Sequence, residues 1–454
     1  MKKDVSDGSY RHVLRIVLPM VLSNAAFTVM QFTDRVLLSR HSSEAIQAAM
    51  PAGVLSFTFL CFFASVAGYA GTFVAQYHGA GDIRACVRSC FAGLLLSAAT
   101  LPASLALMPV CAWLVRVSGH APAIQRLENV YTFWMLLGGV LMSMHWVLGG
   151  YLAGRNRVVV NAVATAAGCA VNIVLDIALI YGKWGFPEWG LKGAAVATFA
   201  SSVFGSGLLL AVVLLDRDVR AMPWREKLRP DWGLVRRIVR FGVPSGVQNL
   251  FDMGAFTFFV MITGRLDALS LATSNIAFSI NHLAISPLIG FGNAASVIVG
   301  QFQGARDAMR AKLAGWRCLH LAWVYMAALA LVFVIVPAEL LSLFRSADAE
   351  YTVAEMIGLG RKLLYLMAAW GMFDTMNVVL IGALKGAGDT RFVMLTLILG
   401  GWLAWIPAEL VILNVLHLGI LGAWAGQLAY LVGLSGVFLA RWVRGRWADI
   451  QMIA

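Results

Sequence analysis

Four aspartates stand alone in long apolar runs. They are Asp34 in "VMQFTDRVLL", Asp176 in "NIVLDIALIYG", Asp252 in "GVQNLFDMG" and Asp374 in "WGMFDTMNVV". A carboxylate at the centre of a bilayer costs about 2.5–3.5 kcal/mol on insertion scales, so each needs a partner or a task. The chemistry open to it is cation exchange: one buried negative charge can be met by a proton, a sodium ion or an organic cation. At a helical rise of about 1.5 Å per residue, Asp34 lies about 6–8 Å and Asp176 about 8 Å from the outer ends of their spans. Asp252 lies about 16 Å in and Asp374 about 20 Å in. The depths form two pairs, one in each half of the chain.

Polar neighbours accompany each pair. Asn172 precedes Asp176 by four residues and shares its helix face, and Thr198 falls at a similar outer-half depth. Asp34, Asn172, Asp176 and Thr198 offer oxygens, which suit a hard cation such as Na+. Gln248 lies one turn before Asp252, Asn377 one turn after Asp374, and Trp370 one turn before Asp374. Trp370 could stack on an aromatic cation, or serve packing or an interfacial belt. Plainer roles exist for the acids too: Asp34 as a solvated helix end beside Arg35, the others as hydrogen-bonded structural groups. Glu409, just after Pro407, reads as structural or vestibular. His145 and His282 read as packing residues, with proton relay as the alternative.

The elements that must hold these side chains are membrane helices. Of 454 residues, 60% are hydrophobic and 13% charged, with a mean hydropathy of +0.78. No soluble domain has interior enough for that surface. Twelve spans of roughly membrane length are expected, at 12–38, 47–77, 86–115, 126–153, 158–181, 190–215, 236–263, 269–303, 308–336, 361–385, 391–416 and 419–441. Ten-residue alternating strands are absent, which argues against an outer-membrane barrel. No cleavable signal peptide is expected, since the first apolar stretch is too long for one. Trp113, Trp184, Trp189, Trp442 and Trp447 fit interfacial belts.

Most of the 35 Lys and Arg fall on one side if the N-terminus is cytoplasmic. The positive-inside rule then puts both termini in the cytoplasm of a multi-pass inner-membrane protein. Eight basic residues run from Arg217 to Arg240. Contact with anionic lipid headgroups accounts for this stretch, and nucleic acid is not expected. The six cysteines form no ligand pattern. There is no HExxH and no P-loop, so neither zinc chemistry nor ATP-driven transport is supported. "GAGD" occurs at Gly79–Asp82 and Gly386–Asp389 in polar connectors and reads as tight glycine turns. No enzyme activity and no cofactor are expected.

The chain repeats itself. "VAQYHGAGDIR" (Val74–Arg84) matches "VGQFQGARDAM" (Val299–Met309) at an offset of 225 residues. The same offset pairs Arg15 with Arg240, Pro19 with Pro244, Arg40 with Arg265 and Asp82 with Asp307. Each half has an even number of spans, so the halves are parallel repeats. The expected organisation is a six-helix lobe at 1–215, a basic connector at 216–235 and a second six-helix lobe at 236–454. At offset 225 Asp34 pairs with Phe259, and Asp252 with Phe27. Acids that served only the repeated fold would recur in both halves, so this asymmetry favours function. Pro19 and Pro244, at equivalent positions, allow their helices to bend.

Over residues 10–440 the chain resembles the multidrug and toxic compound extrusion (MATE) family. The resemblance rests on "FTDRVLLSR", "AQYHGAGD", "NIVLDIALIYG", "GLKGAAVAT", "FGVPSGVQNLFD" and "FDTMNVVLIGALKGAGDT", in that order and spacing. It implies an all-α V-shaped pair of lobes that exports amphipathic organic cations by alternating access, in exchange for Na+ or H+. It also implies a cation site at Asp34, Asn172, Asp176 and Thr198 in the first lobe. A second cation or substrate site falls at Asp252, Asp374, Gln248 and Asn377. The pattern is NorM-like, with a DinF-like touch at Asp176 and an Asp at 252 where NorM-like members carry Glu. The chain is expected to act as a monomer among membrane lipids. The alternative in the same superfamily is a lipid-linked oligosaccharide flippase, which would need a cationic central cavity where this chain embeds mainly acids.

Overall fold

The computed structural model describes residues 8–263, 266–343 and 352–453. Arg265 of the repeat lies outside them, as do residues 344–351 of the connector between the ninth and tenth spans. Among the described residues twelve long helices follow one another. They are α1 (Tyr10–His41), α2 (Ser43–Gly79), α3 (Ile83–Ala106), α4 (Pro122–Gly154), α5 (Val158–Tyr181) and α6 (Gly190–Leu215), then α7 (Trp232–Thr263), α8 (Ala268–Gly304), α9 (Ala308–Ile335), α10 (Val353–Ala387), α11 (Thr390–Asn414) and α12 (Gly419–Arg444). Eleven are long and apolar enough to cross a membrane. The remaining one, α7, is as long as α1 but carries Arg236, Arg237, Arg240, Gln248, Asn249 and Asp252. The all-helical, twelve-span architecture is thus as expected.

Caps set the helix ends. The Ser42 hydroxyl accepts from Glu44 N at 3.2 Å and Ala45 N at 3.4 Å to open α2. Asp82 Oδ1 accepts from Ala85 N at 2.8 Å to open α3. Both satisfy amides that the first turn leaves without partners. Thr352 and Glu355 close a capping box on α10. That helix therefore starts eight residues before the expected 361: residues 353–360 are apolar except for Glu355, and the capping box fixes the start ahead of Arg361 and Lys362. The two GAGD motifs are turns: Gly81 has φ +80° and Gly388 φ +97°, conformations that need glycine. The connector 216–235 folds into two short helices, Arg217–Ala221 and Trp224–Leu228.

The described chain forms two compact units. One holds residues 18–250, 300–307 and 452–453; the other holds 8–17, 251–299 and the described part of 308–451. In the first unit, small residues let helices approach closely. Leu38, Ala45, Ala48, Ile180, Leu191 and Ala194 form a cluster that brings the ends of α1, α2, α5 and α6 together. Gly193 lies against the Leu179 carbonyl with no space for a Cβ. Next to Asp216, which opens the connector, Arg155 Nη1 donates to Tyr151 Oη at 2.6 Å and to Asp216 Oδ2 at 2.8 Å. Arg155 also pairs with Asp218, and Arg157 reaches Asp216 Oδ2 at 2.9 Å.

In the second unit the same close approach recurs, with Gly382 against Gly292 and Gly386 against Ser296. Two tryptophans expected at an interfacial belt are not there. Trp442 and Trp447 are buried and stack at 4.4 Å with an interplanar angle of 10°. Trp447 donates to the Trp442 carbonyl at 3.0 Å, and Gly315 opens the slot that Trp442 fills. A left-handed Gly445 turns the chain back so that the second indole lands on the first. Trp113, Trp184 and Trp189 are exposed on the protein surface, as a belt residue would be. All six cysteines are buried thiols.

Candidate functional site

The first site is assembled by α1 and α5. Asn172 and Asp176 are fully buried, one turn apart on α5, and Asp34 of α1 reaches hydrogen-bonding contact with Asp176. Asn172 is oriented so that its amide nitrogen donates to Asp34 Oδ1 at 3.0 Å and to Asp176 Oδ2 at 3.3 Å. Two carboxylates are acceptors only, so the amide turns its donor toward them. The amide orientation follows from this hydrogen-bond network, which places the nitrogen toward the two acids. Asp176 Oδ1 is buried and has no hydrogen-bond partner. Two adjacent carboxylates repel strongly in a low dielectric, and a proton or a small cation relieves that repulsion.

Thr198 is half-buried on α6. Its hydroxyl donates to Ala194 O at 3.0 Å, one turn back on its own helix. A residue that sequence reasoning missed is Tyr131 of α4, whose hydroxyl lies within electrostatic reach of both Asp34 and Asp176. A single tyrosine gives no periodic signal, so only the packing finds it.

The second site involves α7, α10, α11 and α12. The charges of Asp252 and Asp374 both act on Tyr430 of α12, another residue the sequence did not single out. The charge of Asp252 also acts on Lys385 of α10. Tyr430 stacks on Trp405 at 5.4 Å, and Trp405 stacks on Phe259 at 5.5 Å. Trp405 belongs to a wider helical turn, Leu399–Trp405, within α11. Pro407 cannot donate to the carbonyl four residues earlier, which loosens the ladder where such turns form. Trp405 Nε1 donates to Glu409 Oε1 at 2.9 Å, while Glu409 Oε2 is buried without a partner.

The other expected members do different things. Asn377 donates to Leu431 O at 3.3 Å and accepts from Ser435 Oγ at 3.0 Å, so both ends of its amide tie α10 to α12. Trp370 is buried edge-to-face on Trp424 at 5.5 Å, with no acceptor for its indole N–H. Gln248 is buried on α7. The helices run unbroken through Pro19 and Pro244; the Pro19 carbonyl accepts from Ser23 Oγ at 3.0 Å. His145 Nε2 contacts Thr165 Oγ1 at 3.4 Å, a satisfied packing role. Among the described residues no three His, Cys, Asp or Glu converge as a metal cluster.

Residues 19–178 and 244–409 match the MatE family model, one copy in each half. A "Probable multidrug resistance protein NorM" of Bradyrhizobium diazoefficiens is 29% identical over 425 residues, covering 91% of this chain and 88% of the relative. A protein of the same name from Thermotoga maritima is 25% identical over 445 residues, covering 96% and 93%. Among solved structures, an outward-facing multidrug resistance MATE family transporter of the MOP superfamily superposes with a TM-score of 0.89 at 21% identity, covering 98% of each chain. A MOP superfamily transporter from Pyrococcus furiosus, described as having a binding pocket of reverse polarity, gives 0.88 at 20% identity over 99% and 100%. At that identity the structural likeness speaks for the fold.

Proposed function

This chain belongs to the MatE family of membrane transporters, and from that premise we propose that it is a secondary active multidrug efflux antiporter. It exports amphipathic organic cations in exchange for Na+ or H+ by alternating access. The observation that carries the reading is the Asp34–Asn172–Asp176 arrangement, with one buried carboxylate oxygen left without a partner. Cations held at two separate sites are exchanged when each binds one conformation better than the other. The conformation that each cation favours is then the conformation it stabilises.

In this reading the first-lobe acids bind the coupling ion. Asp34 and Asp176 supply carboxylate oxygens, and Asn172 rotates its amide to offer oxygen when a sodium ion replaces the proton. Asp252 and Asp374, with the Phe259–Trp405–Tyr430 stack near them, receive the organic cation through charge and ring faces. Lys385 neutralises Asp252 until the cargo displaces it. The lobes at 1–215 and 236–454, joined by 216–235, are the moving parts, and Pro19 and Pro244 supply the bending points. The protein works as a monomer in the inner membrane with both termini cytoplasmic.

Drug efflux from everted vesicles tests this, comparing wild type with Asp34→Asn and Asp374→Asn. Reconstitution in liposomes with separate sodium and pH gradients identifies the ion. Wild-type efflux by both variants under either gradient would overturn the assignment.

A further inference from the structure

A cavity of about 150 Å³ opens where α2 ends, α3 begins and α7 begins, and neither acid pair contributes to it. Its walls are Tyr77, Asp82, Arg88, Asp231 and Arg237, with Ala85 and Leu234 behind them. Pockets for drug-sized ligands run to roughly 300–1,000 Å³, so a transported drug does not fit. Arg237 Nη2 donates to Tyr77 Oη at 3.3 Å, which fixes one guanidinium at the wall. Arg88 makes no ion pair among the described residues and is exposed toward the opening. Asp82 and Asp231 each use one oxygen to cap a helix, on Ala85 N at 2.8 Å and Leu234 N at 3.0 Å. Each keeps a second oxygen for a donor. The lining therefore carries two positive and two negative charges.

The surroundings say where this cavity sits. Trp224, Leu228 and Trp232 follow at four-residue spacing and are 57%, 67% and 68% exposed. Large apolar side chains so exposed next to charged ones fit a membrane–water interface. The pair of arginines is also not part of the repeated fold: at the 225-residue offset Arg88 corresponds to Leu313 and Arg237 to His12.

We propose that this cavity binds the phosphoethanolamine headgroup of a membrane lipid, with Arg88, Arg237 and the Tyr77 hydroxyl on the phosphate and Asp82 and Asp231 on the ammonium. Guanidinium groups match phosphate oxygens in bidentate geometry. A primary ammonium donates three hydrogen bonds to carboxylates. A choline headgroup has no N–H to give, and a glycerol headgroup brings no positive charge. The inference does not depend on the transport reading, because binding is measured without a gradient or a drug.

The experiment is native mass spectrometry of the purified full chain in detergent, with short-chain phosphatidylethanolamine, phosphatidylglycerol and phosphatidylcholine as probes. Wild type should retain the ethanolamine lipid over the other two. Arg88→Gln and Arg237→Gln should each weaken its retention about fivefold, the effect of one basic group near a membrane phosphate. Asp82→Asn with Asp231→Asn keeps both caps, since Asn caps as well as Asp, and should move the preference to phosphatidylglycerol. Arg237→Lys controls for folding and should retain part of the binding. Equal retention of the three lipids by wild type, or unchanged retention by the arginine variants, would overturn the proposal. Displacement of the lipid by soluble phosphoethanolamine at equal free concentration would overturn its assignment to a lipid.

Discussion

Gly79 lies with its bare Cα against the Gln301 carbonyl, so close that a Cβ there would overlap it. The contact is reciprocal, with Gly304 equally tight against the Gln76 carbonyl. These four residues are the equivalent positions of "QYHG" and "QFQG" in the sequence repeat. The glycines permit a helix crossing at which the two repeat copies meet backbone to backbone. Neighbouring side chains hold it: Gln301 Nε2 donates to Gly154 O and Asn156 Oδ1, both at 2.9 Å, and Gln76 Nε2 contacts the Met452 sulfur at 3.2 Å.

Gly79→Ala and Gly304→Ala should each destabilise the protein by about 1–3 kcal/mol, the usual cost of inserting a methyl into a packed contact. Gly207→Ala on α6, where an added Cβ meets nothing within 4 Å, should be neutral or slightly stabilising. Thermal melting in detergent separates the two classes. A Gly79→Ala variant that melts with wild type would remove this crossing as a stability determinant.

Asp176→Asn and Asp34→Asn should each reduce gradient-driven efflux about tenfold or more, since a buried acid that exchanges cations loses its charge. Asn172→Ala should weaken coupling less than either, because it orients the pair and carries no charge. Initial efflux rates in vesicles with imposed sodium and pH gradients provide the measurement. Equal effects of Asn172→Ala and Asp176→Asn would count against the division of roles.

Tyr430→Phe keeps the ring stacked on Trp405 but removes the hydroxyl near Asp252 and Asp374. It should weaken binding of an aromatic cation about tenfold or more, since one hydrogen bond to a charged group contributes about 1.5–3 kcal/mol. Trp405→Leu should weaken it further by taking away ring faces on both sides. Fluorescence titration with an organic cation reports both. No change on either substitution would move the substrate site elsewhere.

Arg155→Gln should cost about 1.5–3 kcal/mol, because the buried Asp216 loses one charged donor while keeping Arg157 at 2.9 Å and Asp218 N at 3.0 Å. The side chains of Arg155 and Asp216 are 8% and 0% exposed. Replacing both by apolar residues should recover much of that stability. Asp267, in the turn before α8, offers the contrasting case. Hydrogen bonds from Ser270 N and Oγ at 2.8 and 2.7 Å hold its carboxyl below the usual range. It is exposed, so Asp267→Ala should cost only a capping interaction, about 1 kcal/mol. Denaturation monitored by tryptophan fluorescence distinguishes the two.

The spans and the repeat were legible in the residues because hydropathy and spacing are local properties of the chain. α5 and α6 begin and end where the apolar runs do. The membrane leaves the backbone no choice but helix there. The local pattern also marked which spans carry a lone aspartate. It could not say which side chains meet, since contact between distant helices depends on their rotation and crossing. Tertiary packing alone joined Asp34 to Asp176 and set the Asn172 amide against both. Packing also committed Asn377 to α12, buried Trp442 under Trp447, and set Tyr131 and Tyr430 beside the acids. In each case the deciding quantity was whether a polar atom found a partner across a helix interface, and composition carries no information about that.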